Sequence, residues 1–166
     1  RAQSHAWSQL GNVAFLNRNA AHAQQCLTEA LDLVEANDPR KGRLLFALGL
    51  VRRELGDLDS VHDLLLQGLP LARHRGDLAT VAVIMSNLAE VETGKDNQEG
   101  ALAWSERALQ FVHQHMESDS GASLVWAQFC LQACKVGRFE RASQERQRWF
   151  ARFGPPKHPS SVIVSR

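Results

Sequence analysis

One order of residues recurs four times along the chain, and no other feature restricts the fold as much. A large residue is followed one turn later by a leucine or phenylalanine and a small residue beside it, and about a dozen positions on by a second segment that opens on another small residue. The copies read Trp7, Leu10, Gly11, then Ala23, Leu27 and Ala30; Leu45, Leu48, Gly49, then Val61, Leu65 and Gly68; Met85, Leu88, Ala89, then Ala101 and Ala108; and, more weakly, Trp126, Phe129, Cys130, then Ala142. The steps from Trp7 to Leu45 to Met85 to Trp126 are 38, 40 and 41 residues. A period in this range is the signature of stacked two-helix units. The small residues let the two axes of a pair approach, and the leucines fill the space beside them. No such pair buries its apolar face alone, so the pairs must stack, each on its neighbours.

The turns between helices carry their own chemistry. Gly56-Asp57 and Gly137-Arg138 place Gly where a helix ends in a left-handed conformation, and Asp57 is positioned to cap the helix that follows. Arg18 to Ala23 and Gly94 to Gly100 are the looser equivalents, while Asn37-Asp38-Pro39, Gly76-Asp77 and Ser118 to Gly121 punctuate the chain between pairs. Helices are therefore expected at about 3–17, 20–36, 40–55, 58–75, 78–94, 98–115, 120–136 and 139–153. The expected fold class is all-α, a right-handed α-α superhelix of about four antiparallel helix pairs. It occupies 1–153, with repeats at about 4–37, 40–75, 78–115 and 120–153, and a flexible, extended tail at 154–166. Pro70 breaks the local rule: inside the run from Leu64 to Leu71 it removes a helical hydrogen bond and should kink or break its helix.

These residues resemble the tetratricopeptide-repeat family. The first pair matches its pattern at Trp7, Leu10-Gly11, Ala23, Leu27 and Ala30, and the second at Leu48-Gly49, Gly56-Asp57 and Leu65. The period is longer than the family's 34 residues, and the family's tyrosine is missing from a chain that has none. Stretches such as Leu69 to Asp77, Asn87 to Glu90 and Ala101 to Leu109 are similar to the long-period repeats of MalT-like bacterial transcription regulators, and the spacing also occurs in kinesin light chains and the LGN group. The resemblance implies a partner-binding or inducer-sensing array, with DNA binding residing in another domain. Arg1 in place of Met agrees with a domain cut from a longer regulator.

In such an array the first helix of each pair lines a concave groove for an extended or helical peptide. The repeat phase puts Ser8, Asn12, Arg43, Phe46, Arg53, Ser86, Asn87, Glu90, Ala127 and Leu131 on or near that face. Asn12, Arg53 and Asn87 are suited to hydrogen-bond a bound backbone. Phe46 and Leu131 are suited to anchor apolar side chains, while the alternative use of the polar positions is simply to solvate the groove. The family's carboxylate clamp for chaperone tails is disfavoured. Asn12 fits it, but Ser8, Ala47 and Val83 stand where Lys, Asn and Lys are expected.

Other functions find less support. The net charge of +1 exerts no whole-chain pull on nucleic acid or an anionic membrane, although 8 basic and 2 acidic residues fall in 135–166 against 11 and 16 in 1–134. Arg138, Arg141, Arg146, Arg148 and Arg152 thus form a basic patch, interleaved with Phe139, Trp149 and Phe150. That patch is open to two readings, contact with nucleic acid or an acidic partner, and the polar outer face of a capping helix. A third function class is a homo-oligomerisation scaffold whose end helices stack on another copy. There is no phosphate loop, nucleophile elbow or HExxH pair, so no enzyme is expected. No cofactor or metal is expected either: Cys130 and Cys134 share a helical face, but structural zinc needs four converging ligands. With no signal sequence and no membrane span, the expected setting is cytoplasmic.

Overall fold

The computed structural model describes residues 2–36, 38–115 and 122–154. They form eight helices and no strand: α1 (Ala2–Leu16), α2 (Ala20–Asp32), α3 (Lys41–Glu54), α4 (Leu58–His74), α5 (Leu78–Gly94), α6 (Gln98–His115), α7 (Ala122–Lys135) and α8 (Phe139–Phe153). Two compact units result, one ending at Ile84 and one beginning at Met85, with the boundary inside α5. The breaker at 118–121 and the tail beyond Gly154 lie outside the described residues.

One turn design separates most of these helices. The second residue beyond such a helix takes a left-handed conformation, with φ of +81° at Gly56 after α3, +67° at Gly76 after α4 and +74° at Gly137 after α7. The two looser turns achieve it without glycine, through Arg18 at +61° and Asp96 at +59°. The next residue then closes the helix behind it by donating its N–H to a carbonyl five positions back, as Asn19 does to Ala14 (2.9 Å) and Asn97 to Glu92 (2.9 Å). Its side chain opens the helix ahead. Asn19 accepts from the His22 N–H (3.1 Å), Asp57 from Ser60 (3.2 Å), Asp77 from Thr80 (3.2 Å) and Asn97 from Gly100 (3.0 Å). Arg138, at the same place before α8, makes no such cap.

One local expectation is corrected, and one of two alternatives at Pro70 is excluded. Helix α2 stops at Asp32, four residues before its expected end. The chain passes to α3 through successive tight turns, Val34 N–H to Leu31, Asp38 to Glu35 and Lys41 to Asp38, because Pro39 cannot continue a helical ladder and Asp38 ties the Arg40 N–H (2.8 Å). Pro70 does not break α4, which runs from Leu58 to His74. The ring lies on the exposed side of the helix, as does Leu66, whose carbonyl loses its donor there. Water can satisfy that carbonyl, so the helix continues.

In the first unit the core is a contiguous cluster of Ala14, Ala23, Leu27, Ala30, Leu44, Leu48 and Val51, flanked by Trp7, Phe15 and Leu64. α1 packs on α2, α2 on α3 and α3 on α4. Gly11 is the tightest point: a methyl placed there would lie 2.8 Å from Leu27 Cγ. At Gly49 the same methyl would stand 3.6 Å from Leu65, an ordinary contact. In the second unit Leu88, Val91, Leu102, Leu109, Val112, Val125 and Phe129 are buried. Gln128 donates to the Ser86 carbonyl (2.9 Å) and Gln132 to the Thr93 hydroxyl (3.0 Å), which fixes α7 against the part of α5 in that unit.

Candidate functional site

In the first unit a groove of about 520 Å³ runs between α1 and α3 and reaches Thr80 at the start of α5. Its α1 wall is Ser4, Ser8 and Asn12, which the four-residue spacing brings onto one face. The α3 wall is Arg43, Phe46, Ala47 and Leu50, with Arg40 just before the helix. Ser4 is spent on structure, since its buried hydroxyl donates to the Ala30 carbonyl at 2.9 Å. Ser8 is half-buried and Asn12 exposed, and Phe46 is half-buried on the opposite wall.

The groove has two guanidinium groups and no carboxylate on its walls: Arg40 and Arg43 line it together with His5, and no Asp or Glu does. Their availability differs. Arg40 is held by Asp38 at 2.6 Å. Arg43 is 69% exposed and reaches Asp77 only at 3.8 Å. Asp77 is already engaged at the α5 N-terminus. Its partial burial pushes the carboxyl's pKa up, but the Thr80 amide and hydroxyl and the Arg43 and Arg75 guanidiniums together outweigh that and hold it below the ordinary carboxylate value. Arg43 is thus a weakly tethered cation at the groove mouth.

The structure brings Ser8, Asn12, Arg43 and Phe46 together. Arg53 continues the same α3 face at its last turn, half-buried. Of the residues in the second unit, Ser86 is only 7% exposed and its carbonyl takes the Gln128 amide. Asn87 and Ala127 are half-buried, and Glu90 and Leu131 are exposed. His5, Gln9, Arg40, Leu50 and Thr80 line the groove without having been singled out from sequence. The spacing of His5, Gln9 and Asn12 was a readable signal for two of them. Arg40 stands directly after the Asn37-Asp38-Pro39 breaker, at the expected start of the third helix, one turn before Arg43.

The arginines of α8 have partners inside their own unit. Arg138 pairs with Glu99 (3.0 Å), Arg141 lies 3.8 Å from Glu106, Arg148 pairs with Glu145 (2.7 Å), and Arg152 donates to the His113 carbonyl (2.6 Å). Glu145 is only 2% exposed and also faces His113 Nε2 at 3.4 Å. Arg146 has no carboxylate partner among the described residues and lines a recess of about 150 Å³ with Trp126, Cys130 and Cys134. Burial, aided by the neighbouring Cys134 and Glu145, pushes the Cys130 thiol up to about 12, so it stays protonated and inert. Among the described residues no three His, Cys, Asp or Glu side chains converge as a metal site requires, and no helix is long and apolar enough to cross a membrane.

Residues 3–74, which make up the first two helix pairs, match the family model described as tetratricopeptide repeat. Those two pairs are tetratricopeptide repeats. The wider chain has a tetratricopeptide-repeat-like fold, as solved structures show. It is similar to the apo form of RapI (TM-score 0.78, 10% identity, 90% of this chain and 55% of that one). It is also similar to a Rap protein complexed with competence and sporulation factor (TM-score 0.74, 14% identity, 90% and 42%). A third similar structure holds nearly identical repeats of the kinesin light chain kind from Podospora anserina (TM-score 0.76, 13% identity, 97% and 82%). The chain thus spans about half the length of the Rap structures it matches. No curated protein matches it in sequence.

Proposed function

We propose that this tetratricopeptide-repeat chain is a non-catalytic module that binds a protein or peptide segment in the groove between α1 and α3, as the partner-binding or sensing region of a bacterial regulatory protein. The observation that carries the reading is the make-up of the groove. An exposed amide, a weakly tethered guanidinium and a half-buried phenyl ring face one space with no carboxylate on its walls. The Asn12 amide both donates and accepts, which suits a peptide backbone. Arg43 suits a carboxylate side chain of the ligand, and exchanging its long contact to Asp77 for a closer one costs little. Phe46 supplies the apolar anchor. All three stand on helices already fixed by the core, so little ordering opposes binding.

The regulatory part of the reading is supported by the long repeat period and by the likeness to Rap structures, one of which holds a bound factor. The basic patch of Arg138 and helix α8 is not read as a nucleic-acid surface, because four of its five arginines are engaged within the unit.

Selection of peptides on the intact chain from a random display library, followed by calorimetric titration, tests the groove. Phe46→Ala is expected to weaken a selected peptide by about tenfold or more, as for a buried aromatic anchor. Asn12→Ala and Arg43→Ala should weaken it less, and Glu29→Ala, on the exposed side of α2, should leave it unchanged. Equal affinity for the wild type and all three groove variants would remove the assignment.

A further inference from the structure

In the second unit a cavity of about 440 Å³ lies between α6 and α8, over the buried Leu109 and Phe129. Its walls belong to two neighbouring helix pairs, so it is a feature of the interior of the array and not of an end face. Glu145 sets it apart. Counting three residues on from the small residue near the start of each second helix (Ala23, Val61, Ala101, Ala142), the other pairs have Cys26, Leu64 and Trp104. Stacking is thus served by an apolar side chain at this place. Glu145 is nevertheless 2% exposed, the only Asp, Glu, Lys or Arg among the described residues to be buried.

A buried carboxylate is costly unless both oxygens are matched. Oε1 accepts from Arg148 at 2.7 Å. Oε2 makes no hydrogen bond, and neither does His113 Nε2, which stands 3.4 Å from it. Both side chains line the cavity, so a donor bound there would complete Glu145.

The other charges say what kind of donor fits. Glu106 and Glu145 are matched in number by Arg141 and Arg148, so the cavity offers neither a simple cation nor a simple anion a field of one sign. Burial orders these charges by depth. The Glu145 side chain is 3% exposed, against 47% for Arg141 and 64% for Arg148, which places the guanidiniums toward the mouth. Arg141 makes no hydrogen bond among the described residues and lies 3.8 Å from Glu106 and 3.9 Å from Glu145, so its donors are available. A ligand that answers this order presents a cationic donor inward and an anion outward. Opposite charges of the cavity stand only 2.7 to 3.9 Å apart, so those of the ligand must be equally close. The ammonium and carboxylate groups on the single α-carbon of an amino acid meet that condition. Gln110 and Gln114, exposed on α6, add neutral donors and acceptors for its side chain.

We propose that the cavity between α6 and α8 binds a free α-amino acid, whose ammonium group donates to Glu145 Oε2 and whose carboxylate accepts from Arg141. The site is separate from the groove between α1 and α3 and does not rest on the peptide-binding reading.

Calorimetric titration of the intact chain with each of the common L-amino acids tests it. At least one should bind with a Kd below about 1 mM. Its N-acetyl form, which lacks the cation, and its amide, which lacks the anion, should each bind about tenfold more weakly or worse. Glu145→Gln, which keeps the shape and removes the charge, and Arg141→Gln should each weaken the free amino acid by about tenfold or more. Glu140→Gln, at an exposed place on α8, should leave it unchanged. Should Glu145→Gln fail to fold, Arg141→Gln, at an exposed position, reads the same site. Binding of none of the amino acids, equal binding of the N-acetyl and amide forms, or an affinity unaltered in Arg141→Gln would overturn the proposal.

Discussion

Replacing glycine by alanine at the two matched positions Gly11 and Gly49 should change stability in opposite directions. Both lie inside helices, where Ala is favoured over Gly by about 0.5–1 kcal/mol. At Gly49 the new methyl meets Leu65 Cδ2 at 3.6 Å and Cγ at 3.8 Å, which are ordinary contacts, so the whole gain is kept. At Gly11 it meets Leu27 Cγ at 2.8 Å, Leu27 Cδ2 at 3.0 Å and Cys26 Cβ at 3.3 Å. Leu27 is 1% exposed and Cys26 fully buried, so neither can swing away. Overpacking of this kind costs about 1–3 kcal/mol, which exceeds the helical gain and leaves Gly11→Ala destabilised by roughly 0.5–2 kcal/mol. For a chain of this size about 2–4 °C accompanies each kcal/mol. Gly49→Ala should then melt a few degrees above the wild type and Gly11→Ala a few degrees below, by circular dichroism with urea titrations in parallel. Gly42→Ala, whose methyl would stand 3.3 Å from Leu71 Cβ, should fall between them. A Gly11→Ala variant at least as stable as the wild type would refute the packing argument.

Asp96→Gly should raise stability by about 1 kcal/mol, since it relieves a left-handed residue with a side chain, and Gly56→Ala should lower it by a similar amount; chemical denaturation measures both. Acid should weaken the fold through Asp57 and Asp77. The Ser60 hydroxyl and amide, with Arg52, hold the Asp57 carboxyl below its ordinary value, and Asp77 is lowered as described. Their contribution is complete above the unfolded value near about pH 4 and is lost as pH falls through the lower folded values. Asn caps a helix as well as Asp but does not titrate, so the double variant Asp57→Asn, Asp77→Asn should lose less stability between neutral pH and about pH 3 than the wild type. Of the three thiols only Cys134, half-buried, should react with Ellman's reagent in the native state, with Cys26 and Cys130 appearing on unfolding.

Much of the fold could be read from residue order because stacked repeats state the same instruction several times. Gly56 and Gly137 announce left-handed turns and Asp57 its cap. Arg18 and Asp96 do the same work unannounced, because a non-glycine residue reaches that conformation only when the cap and the closing hydrogen bond around it are in place. The end of α2 was misplaced because Leu33 to Ala36 is helical in composition, whereas the ladder already ends at Leu33, whose N–H donates to the Leu31 carbonyl. For the groove, the repeat phase located Asn12, Arg43 and Phe46, but nothing in it distinguishes a loosely held Arg43 from an Arg40 locked by Asp38. The arginines of α8 carried the opposite difficulty. Composition shows their charge, whereas their partners Glu99 and Glu106 lie 39 and 35 residues earlier, close to one repeat period, which was the available and unused clue.

Photo-crosslinking with a display-selected peptide that carries a photoreactive side chain tests the central claim most directly, because it reports where the ligand lies without altering the protein. Mapped by mass spectrometry on the wild-type chain, adducts should fall on the α1 and α3 walls, among residues 5–12 and 40–50. Adducts confined to α6 and α8 would contradict the groove between α1 and α3.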